Sequence, residues 1–269
     1  LRKSIINIFI ILIGFYVLLC LSLYVFQEKI IFFPEKLPAD YMFQFEEDFE
    51  EFKIRTDDNK LINALLFKAD STKGLIFYLH GNAGSLKSWG YSAPTYSAFG
   101  YDVIMLDYRG YGKSEGSIRS QVQLFADNQL VYDHIKKRYG EENITIFGYS
   151  IGSGLAARLA SENHPRQLIL QAPYYNMEDM LYTHYPIFPS FLLRYTIETN
   201  TYLKDTNMPI TIFHGKKDNI IPIKSSIKLK NDFTNKIQLY SFEGLGHNGF
   251  LNSEQYNKAL KSVLAQNVE

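Results

Sequence analysis

Apolar positions fall into two regimes along the chain. From Ile5 to Phe26 no side chain is charged, and Asn7, Gly14, Cys20 and Ser22 are the least apolar members. At 1.5 Å per helical residue the run rises about 33 Å, enough to cross a hydrocarbon core of about 30 Å. After Phe49 the apolar runs become short. Leu75–His80, Val103–Leu106, Ile144–Phe147, Leu168–Gln171 and Ile210–Phe213 are β-branched or aromatic and apolar on both faces. That is the pattern of parallel strands buried between two helix layers. Helices are predicted between them at about 86–99, 120–138, 153–162 and 223–233, with a last one near 253–265. Phe49–Arg55 and Ile62–Phe67 flank the polar turn Asp57–Lys60 and read as an antiparallel hairpin on one edge. A final strand is expected at Ile237–Phe242. The alternation predicts an α/β fold with a mostly parallel sheet and right-handed crossovers.

The N-terminal run reads as an uncleaved single-pass anchor. A signal peptide carries a shorter apolar stretch and small residues at its cleavage site, which Leu23-Tyr-Val-Phe-Gln27 does not supply. Leu18 and Leu19 are too bulky to precede a lipid-attachment cysteine at position 20. A buried core helix of this length would be amphipathic. The expected division is therefore an anchor at 1–27 and one folded domain at 28–269. Arg2 and Lys3 nearly balance Lys29 and Lys36 across the span. The expected orientation puts the N-terminus in the cytoplasm and the domain on the extracytoplasmic side, in periplasm or lumen.

Composition narrows the function. The chain of 269 residues has 28 basic and 28 acidic side chains, so it lacks the basic excess that nucleic acid requires. Its single cysteine, Cys20, excludes an intrachain disulfide. The cluster Glu46, Glu47, Asp48, Glu50 and Glu51 is expected to be a solvated edge and not a metal site.

The chemistry concentrates at strand ends. Gly148-Tyr-Ser150-Ile-Gly152 follows one strand and precedes the small-residue run Gly152–Ala157. Strand, sharp turn and helix are the context in which a G-x-S-x-G serine becomes a nucleophile, because the glycines let the turn close. A serine hydroxyl needs a base. Of six histidines, His134, His164 and His184 sit in helical, turn and aromatic surroundings, and His80 and His214 end strands and brace loops. His247 lies in the glycine-lined loop Gly244–Gly249 after the last strand, from which it can reach Ser150. Asp218, in the short loop after Ile210–Phe213, is the expected orienting acid, ahead of Glu178, Asp179 and Asp205. The expected oxyanion donors are the backbone amides of Ile151 and Asn82, the latter in His80-Gly-Asn-Ala-Gly84.

With Asp107-Tyr-Arg-Gly-Tyr-Gly-Lys-Ser-Glu-Gly116, these motifs resemble the alpha/beta-hydrolase superfamily. The post-anchor segment Phe26–Pro34 narrows the resemblance to its N-terminally anchored abhydrolase-domain branch, often labelled serine aminopeptidase-like. The resemblance implies an eight-stranded sheet, no cofactor, no metal, and a structural role for Tyr108, Arg109 and Gly110. Relatives in this branch include protein depalmitoylases and lysophospholipases. In this fold the segment from about 173 to 202 is the cap, and Tyr174, Tyr175, Tyr182, Tyr185, Phe188, Phe191, Tyr195 and Tyr202 are expected there either to cover the core or to form an acyl-chain pocket facing lipid. The expected activity is hydrolysis of esters or thioesters of small-molecule, lipid or acylated substrates. A peptidase with the same triad and a non-enzymatic membrane scaffold are the alternatives.

Overall fold

The computed structural model describes residues 2–265. Helix α1 (Arg2–Val25) carries the apolar run, and the short helix α2 (Gln27–Ile31) turns the chain into the domain. Strand β1 (Phe33–Pro34) follows. Then come the edge hairpin β2 (Phe49–Arg55) and β3 (Leu61–Phe67), β4 (Leu75–Leu79), and the two-residue strand β5 (Ala83–Gly84). The predicted helix at 86–99 is broken into α3 (Leu86–Trp89), a 3₁₀ turn, and α4 (Ala93–Ser97). At the break a Cβ on Gly90 would lie 2.3 Å from the Phe45 ring, and Pro94 starts the next helix because its missing N–H costs nothing there.

The remaining elements alternate as expected. They are β6 (Asp102–Leu106), α5 (Gln121–Tyr139), β7 (Ile144–Tyr149), α6 (Ile151–Ser161), β8 (Gln167–Gln171), α7 (Met177–His184), α8 (Thr199–Tyr202), β9 (Ile210–Gly215), α9 (Lys224–Asp232), β10 (Ile237–Phe242) and α10 (Glu254–Ala265). Helix α5 shows the local rules clearly: Ser120 caps its first turn by accepting from the Gln123 amide at 3.2 Å. Lys136, Lys137 and Arg138 crowd its last turn, where the helix dipole favours cations, and Gly140 ends it at φ 74°.

Eight strands form one sheet in the order β10-β9-β8-β7-β4-β6-β3-β2. Strands β2 and β3 pair antiparallel from Phe49↔Phe67 to Arg55↔Leu61, β3 pairs antiparallel with β6, and the other pairs are parallel. Every residue of β4, β6, β7, β8 and β9 is buried, which is why their sequences are apolar on both faces. The acidic cluster protects the open edge at β2: Glu50 pairs with Arg138 at 2.8 Å and Glu51 with Lys113 at 2.7 Å. Strand order reverses between β4 and β7, so the crevice outside their carboxyl ends is the natural place for a ligand.

One of the two cores reaches past the sheet. Ile31 and Phe32, just after the anchor, pack into it with Tyr195 and Ile197 of the cap. Strand β1 pairs parallel with β5, Phe33 against Ala83 and Pro34 against Gly84. The segment that follows α1 is thus built into the loop after β4.

Asp107, at the end of β6, is buried and accepts from the Leu86 amide at 2.9 Å. Burial pushes its carboxyl up to about 7, against the pull of the Leu86 and Lys113 amides. The folded value exceeds the unfolded one of about 3.9. This group's stabilising contribution is therefore complete below about pH 3.9 and lost as pH rises through about 7. Thermal unfolding of the full chain and of Asp107→Asn should show the wild type losing stability relative to the variant between about pH 4 and 7. Parallel pH curves would contradict the assignment.

Candidate active site

Ser150 sits on a strained turn between β7 and α6, with φ 55° and ψ −122°. Such a backbone persists only where its surroundings enforce it. The Ser150 amide donates to the Gln171 carbonyl at 2.9 Å, and the Ser153 hydroxyl donates to the Ser150 carbonyl at 2.6 Å. The flanking glycines are required by space. A Cβ on Gly148 would lie 2.4 Å from the Gly152 carbonyl, and one on Gly152 would lie 2.1 Å from the Leu79 carbonyl.

Three predicted residues meet here. His247 Nε2 is 3.0 Å from Ser150 Oγ, and His247 Nδ1 is 2.7 Å from Asp218 Oδ2. The carboxylate only accepts, so Nδ1 carries the imidazole proton and leaves Nε2 free to accept from the serine. Asp218 Oδ1 accepts from the amides of Ile220 at 2.9 Å and Ile221 at 2.8 Å. Burial would raise the Asp218 carboxyl. Hydrogen bonds from His214 and His247, with the His247 charge and the Ile221 amide, outweigh it and hold the group well below the usual carboxylate range. Asp218 is therefore ionised at neutral pH.

The other strand-end histidines brace loops. His214 Nε2 lies 2.8 Å from the Ile221 carbonyl and 3.3 Å from Asp218 Oδ2, two acceptors that fix its proton on that nitrogen. Its Nδ1 then accepts from the Ser226 hydroxyl at 2.6 Å. His80 Nδ1 donates to the Gly81 carbonyl at 2.7 Å, and burial lowers its pKa to about 4, so the ring is neutral. Asp179, a rejected candidate for the acid, pairs instead with Lys228 at 3.3 Å.

Asn82 and Ile151 line the same cavity as Ser150. Ile151 opens α6, so its amide belongs to the helix's first turn, whose N–H groups lack intrahelical partners. The Asn82 loop is held from two sides. Its carbonyl accepts from the Phe33 amide at 2.8 Å and the Tyr111 hydroxyl at 2.7 Å, while its side chain donates to the Ile31 carbonyl at 3.1 Å. The Tyr108 hydroxyl donates to the His80 carbonyl at 2.9 Å. Arg109 bonds Asp58 and Asp127 at 2.6–2.9 Å and ties the loop after β6 to α5.

The cavity holds about 490 Å³ and is largely apolar. The cap aromatics divide between lining it and covering the core. Of the eight cap aromatics, Tyr174 and Tyr185 line it, beside Met177, Met180, Leu181 and Leu193. Tyr195 and Tyr202 are buried in the core, and Tyr182 and Phe191 are exposed at the surface. A short cap with two prolines cannot turn all its rings to one side. The sequence reading missed the opposite wall altogether: Leu23 comes from the end of α1, and Gln27, Ile30 and Ile31 from α2. The signal available was Gln27 itself, a polar residue where the apolar run should simply end.

The strand order, the turn at Ser150 and the placement of the cap define the alpha/beta-hydrolase fold. A family model described as serine aminopeptidase, S33, matches residues 70–196; fold and relatives together make the chain a serine hydrolase of the alpha/beta-hydrolase superfamily. It is 28% identical over 268 residues to protein bem46 of Schizosaccharomyces pombe, covering 91% of this chain and 88% of that protein. It is 30% identical over 230 residues to the lysophosphatidylserine lipase ABHD12 of Mus musculus, covering 73% of this chain and 57% of the lipase. The chain thus spans about half the length of the ABHD12 lipases it matches. Among solved structures, the Pyrococcus furiosus esterase Pf2001 superposes with a TM-score of 0.71 at 16% identity, over 89% of this chain and 98% of the esterase.

Tyr149 is one of the residues that hold the His247 loop. The Tyr149 hydroxyl lies 2.9 Å from the His247 carbonyl and 2.6 Å from Asn248 Oδ1. Tyr149→Phe leaves both acceptors without that donor, at about 1–3 kcal/mol. It should lower kcat by about tenfold with a smaller change in KM. An unchanged kcat would show that the loop is held by other contacts.

Proposed function

We propose that the protein is a membrane-anchored hydrolase of carboxylic esters or thioesters, acting on lipid or acylated substrates through Ser150, His247 and Asp218. The observation that carries this reading is the hydrogen-bonded chain Asp218–His247–Ser150 opening into an apolar cavity. Ser150 Oγ attacks the substrate carbonyl while its proton passes to His247 Nε2. Asp218 stabilises the resulting imidazolium. The amides of Ile151 and Asn82 receive the oxyanion. As the tetrahedral intermediate collapses, His247 gives the proton to the leaving alcohol or thiol, and the acyl group stays on Ser150. Water then attacks the acyl-enzyme, again giving its proton to His247, and Ser150 is regenerated. Each half-reaction returns the proton it borrowed.

Substrate class follows from the walls. An aminopeptidase recognises a charged α-amino group, which needs a carboxylate partner in a water-poor site. Among the described residues lining the cavity there is no Asp or Glu. Methionine, leucine and isoleucine side chains suit an acyl chain, because they fill space without fixed polar demands. The ABHD12 relatives are lysophosphatidylserine lipases, which supports a lipid ester. The apolar α1 helix, long enough to cross a bilayer, supports action at a membrane.

The test uses the full chain in detergent or vesicles, with p-nitrophenyl esters from acetyl to palmitoyl and aminoacyl p-nitroanilides. Ester turnover should exceed amide turnover, vanish in Ser150→Ala, and fall about 10³-fold or more in Asp218→Asn with the fold retained. Amide turnover without ester turnover would establish the peptidase instead. Full ester turnover in Asp218→Asn would remove that residue from the triad.

A further inference from the structure

The anchor and the cap run side by side over half the span. The Tyr16 hydroxyl donates to the Ile187 carbonyl at 2.7 Å, and the Tyr16 ring stacks on Phe188 at 6.4 Å. Nearer the domain, the Arg194 guanidinium lies 5.7 Å from the centre of the Tyr24 ring. Tyr16 precedes Phe26 by about 15 Å of helix, half of a hydrocarbon core of about 30 Å. The part of the apolar run beyond this contact, residues 5–15, rises about 16 Å and cannot cross alone. If the whole run crosses, the cap beside it lies at the same depth.

The cap loop has the composition that this depth demands. Tyr185-Pro-Ile-Phe-Pro-Ser-Phe-Leu-Leu193 contains no charged residue. Ile187 and Phe191 are 66% and 82% exposed, an unfavourable arrangement in water. Non-helical backbone survives near hydrocarbon only when its polar groups are satisfied. Here Pro186 and Pro189 have no N–H, and the amides of Phe188, Leu192 and Leu193 donate to the carbonyls of Tyr185, Pro189 and Ser190. The Ile187 carbonyl accepts from Tyr16, and the Leu192 carbonyl accepts from the buried Gln27 side chain at 2.9 Å. Charge returns at one level on both elements, where Arg194 meets Glu28 at 2.7 Å. That pair marks the boundary with the headgroups.

We propose that the cap loop Tyr185–Leu193 lies inside the lipid leaflet beside the second half of the anchor, and that the cavity receives its acyl chain from that leaflet. The second clause rests on the hydrolase reading above; the first rests only on α1 crossing the membrane. Leu23 of the anchor and Ile30 of α2 are then a chain-length-setting wall, contributed by the membrane side of the molecule.

Two measurements on the full chain in phosphatidylcholine vesicles test this. In a Cys20→Ser background, a nitroxide is placed at Phe191→Cys, with Ile187→Cys as a second site and Ser71→Cys, exposed before β4, as the aqueous reference. Power-saturation spectroscopy should find the labels at 191 and 187 relaxed by oxygen more than by a water-soluble nickel chelate, and the reverse at 71. Labels at 191 and 187 that follow the one at 71 would overturn the leaflet placement. Separately, Leu23→Trp and Ile30→Trp should lower the palmitoyl-to-acetyl ratio of kcat/KM at least tenfold. An unchanged ratio would overturn the role of the anchor as a wall. If the wild type showed no Ser150-dependent ester turnover, the hydrolase reading would fail while the label depths still decided the placement.

Discussion

The backbone of Ser150 is held where a non-glycine residue seldom goes, at φ 55° and ψ −122°. That conformation costs about 1–3 kcal/mol and has to be enforced from outside. Gly148 and Gly152 let α6 close onto the ends of β4 and β7, so the turn has nowhere to relax. The same closure aims the first turn of α6 at the cavity and presents the serine hydroxyl to His247, which the loop after β10 carries. Asp218 completes the chain from the loop after β9. Three loops from three strands converge because the sheet puts all their carboxyl ends on one side.

A second dependence links the site to the segment that follows α1. The segment Gln27–Glu35 touches the cap through Gln27 and Glu28, and the Asn82 loop through Ile31, Phe33 and Glu35. Gln27 Oε1 accepts from the Arg194 amide at 2.7 Å, and the Tyr195 hydroxyl donates to Glu28 at 2.9 Å. Glu35 accepts from the Ser85 hydroxyl and from Lys87, both at 2.9 Å, and these hydrogen bonds lower its carboxyl pKa. Cutting the chain at the expected boundary between 27 and 28 would remove part of the cavity wall and the buried bond from Gln27 to the cap. Activity is therefore best measured on the whole molecule.

Much of this was legible in the sequence, for identifiable reasons. Buried parallel strands must be apolar on both faces, so β4, β6, β7, β8 and β9 stood out as short β-branched runs. The turn at Ser150 was legible because close approach at Gly148 and Gly152 admits no side chain, and His247 because its loop carries glycines where helices and strands do not. What stayed hidden depended on partners far away in sequence. Phe45 packs where a Cβ on Gly90 would sit, the fate of each cap ring depends on which core reaches it, and the importance of Gln27 comes from the Leu192 carbonyl and the Arg194 and Tyr195 amides, 165 to 168 positions later. Residue type alone gave those positions ordinary readings.

The central claim is that Ser150 is the nucleophile of this cavity, activated by His247. The most direct test is intact-mass and peptide-level spectrometry of the full chain after reaction with a fluorophosphonate. One adduct on the peptide containing Ser150, strongly reduced in His247→Ala, is the result the geometry predicts. A folded protein that forms no adduct, or forms it at another residue, would contradict the account.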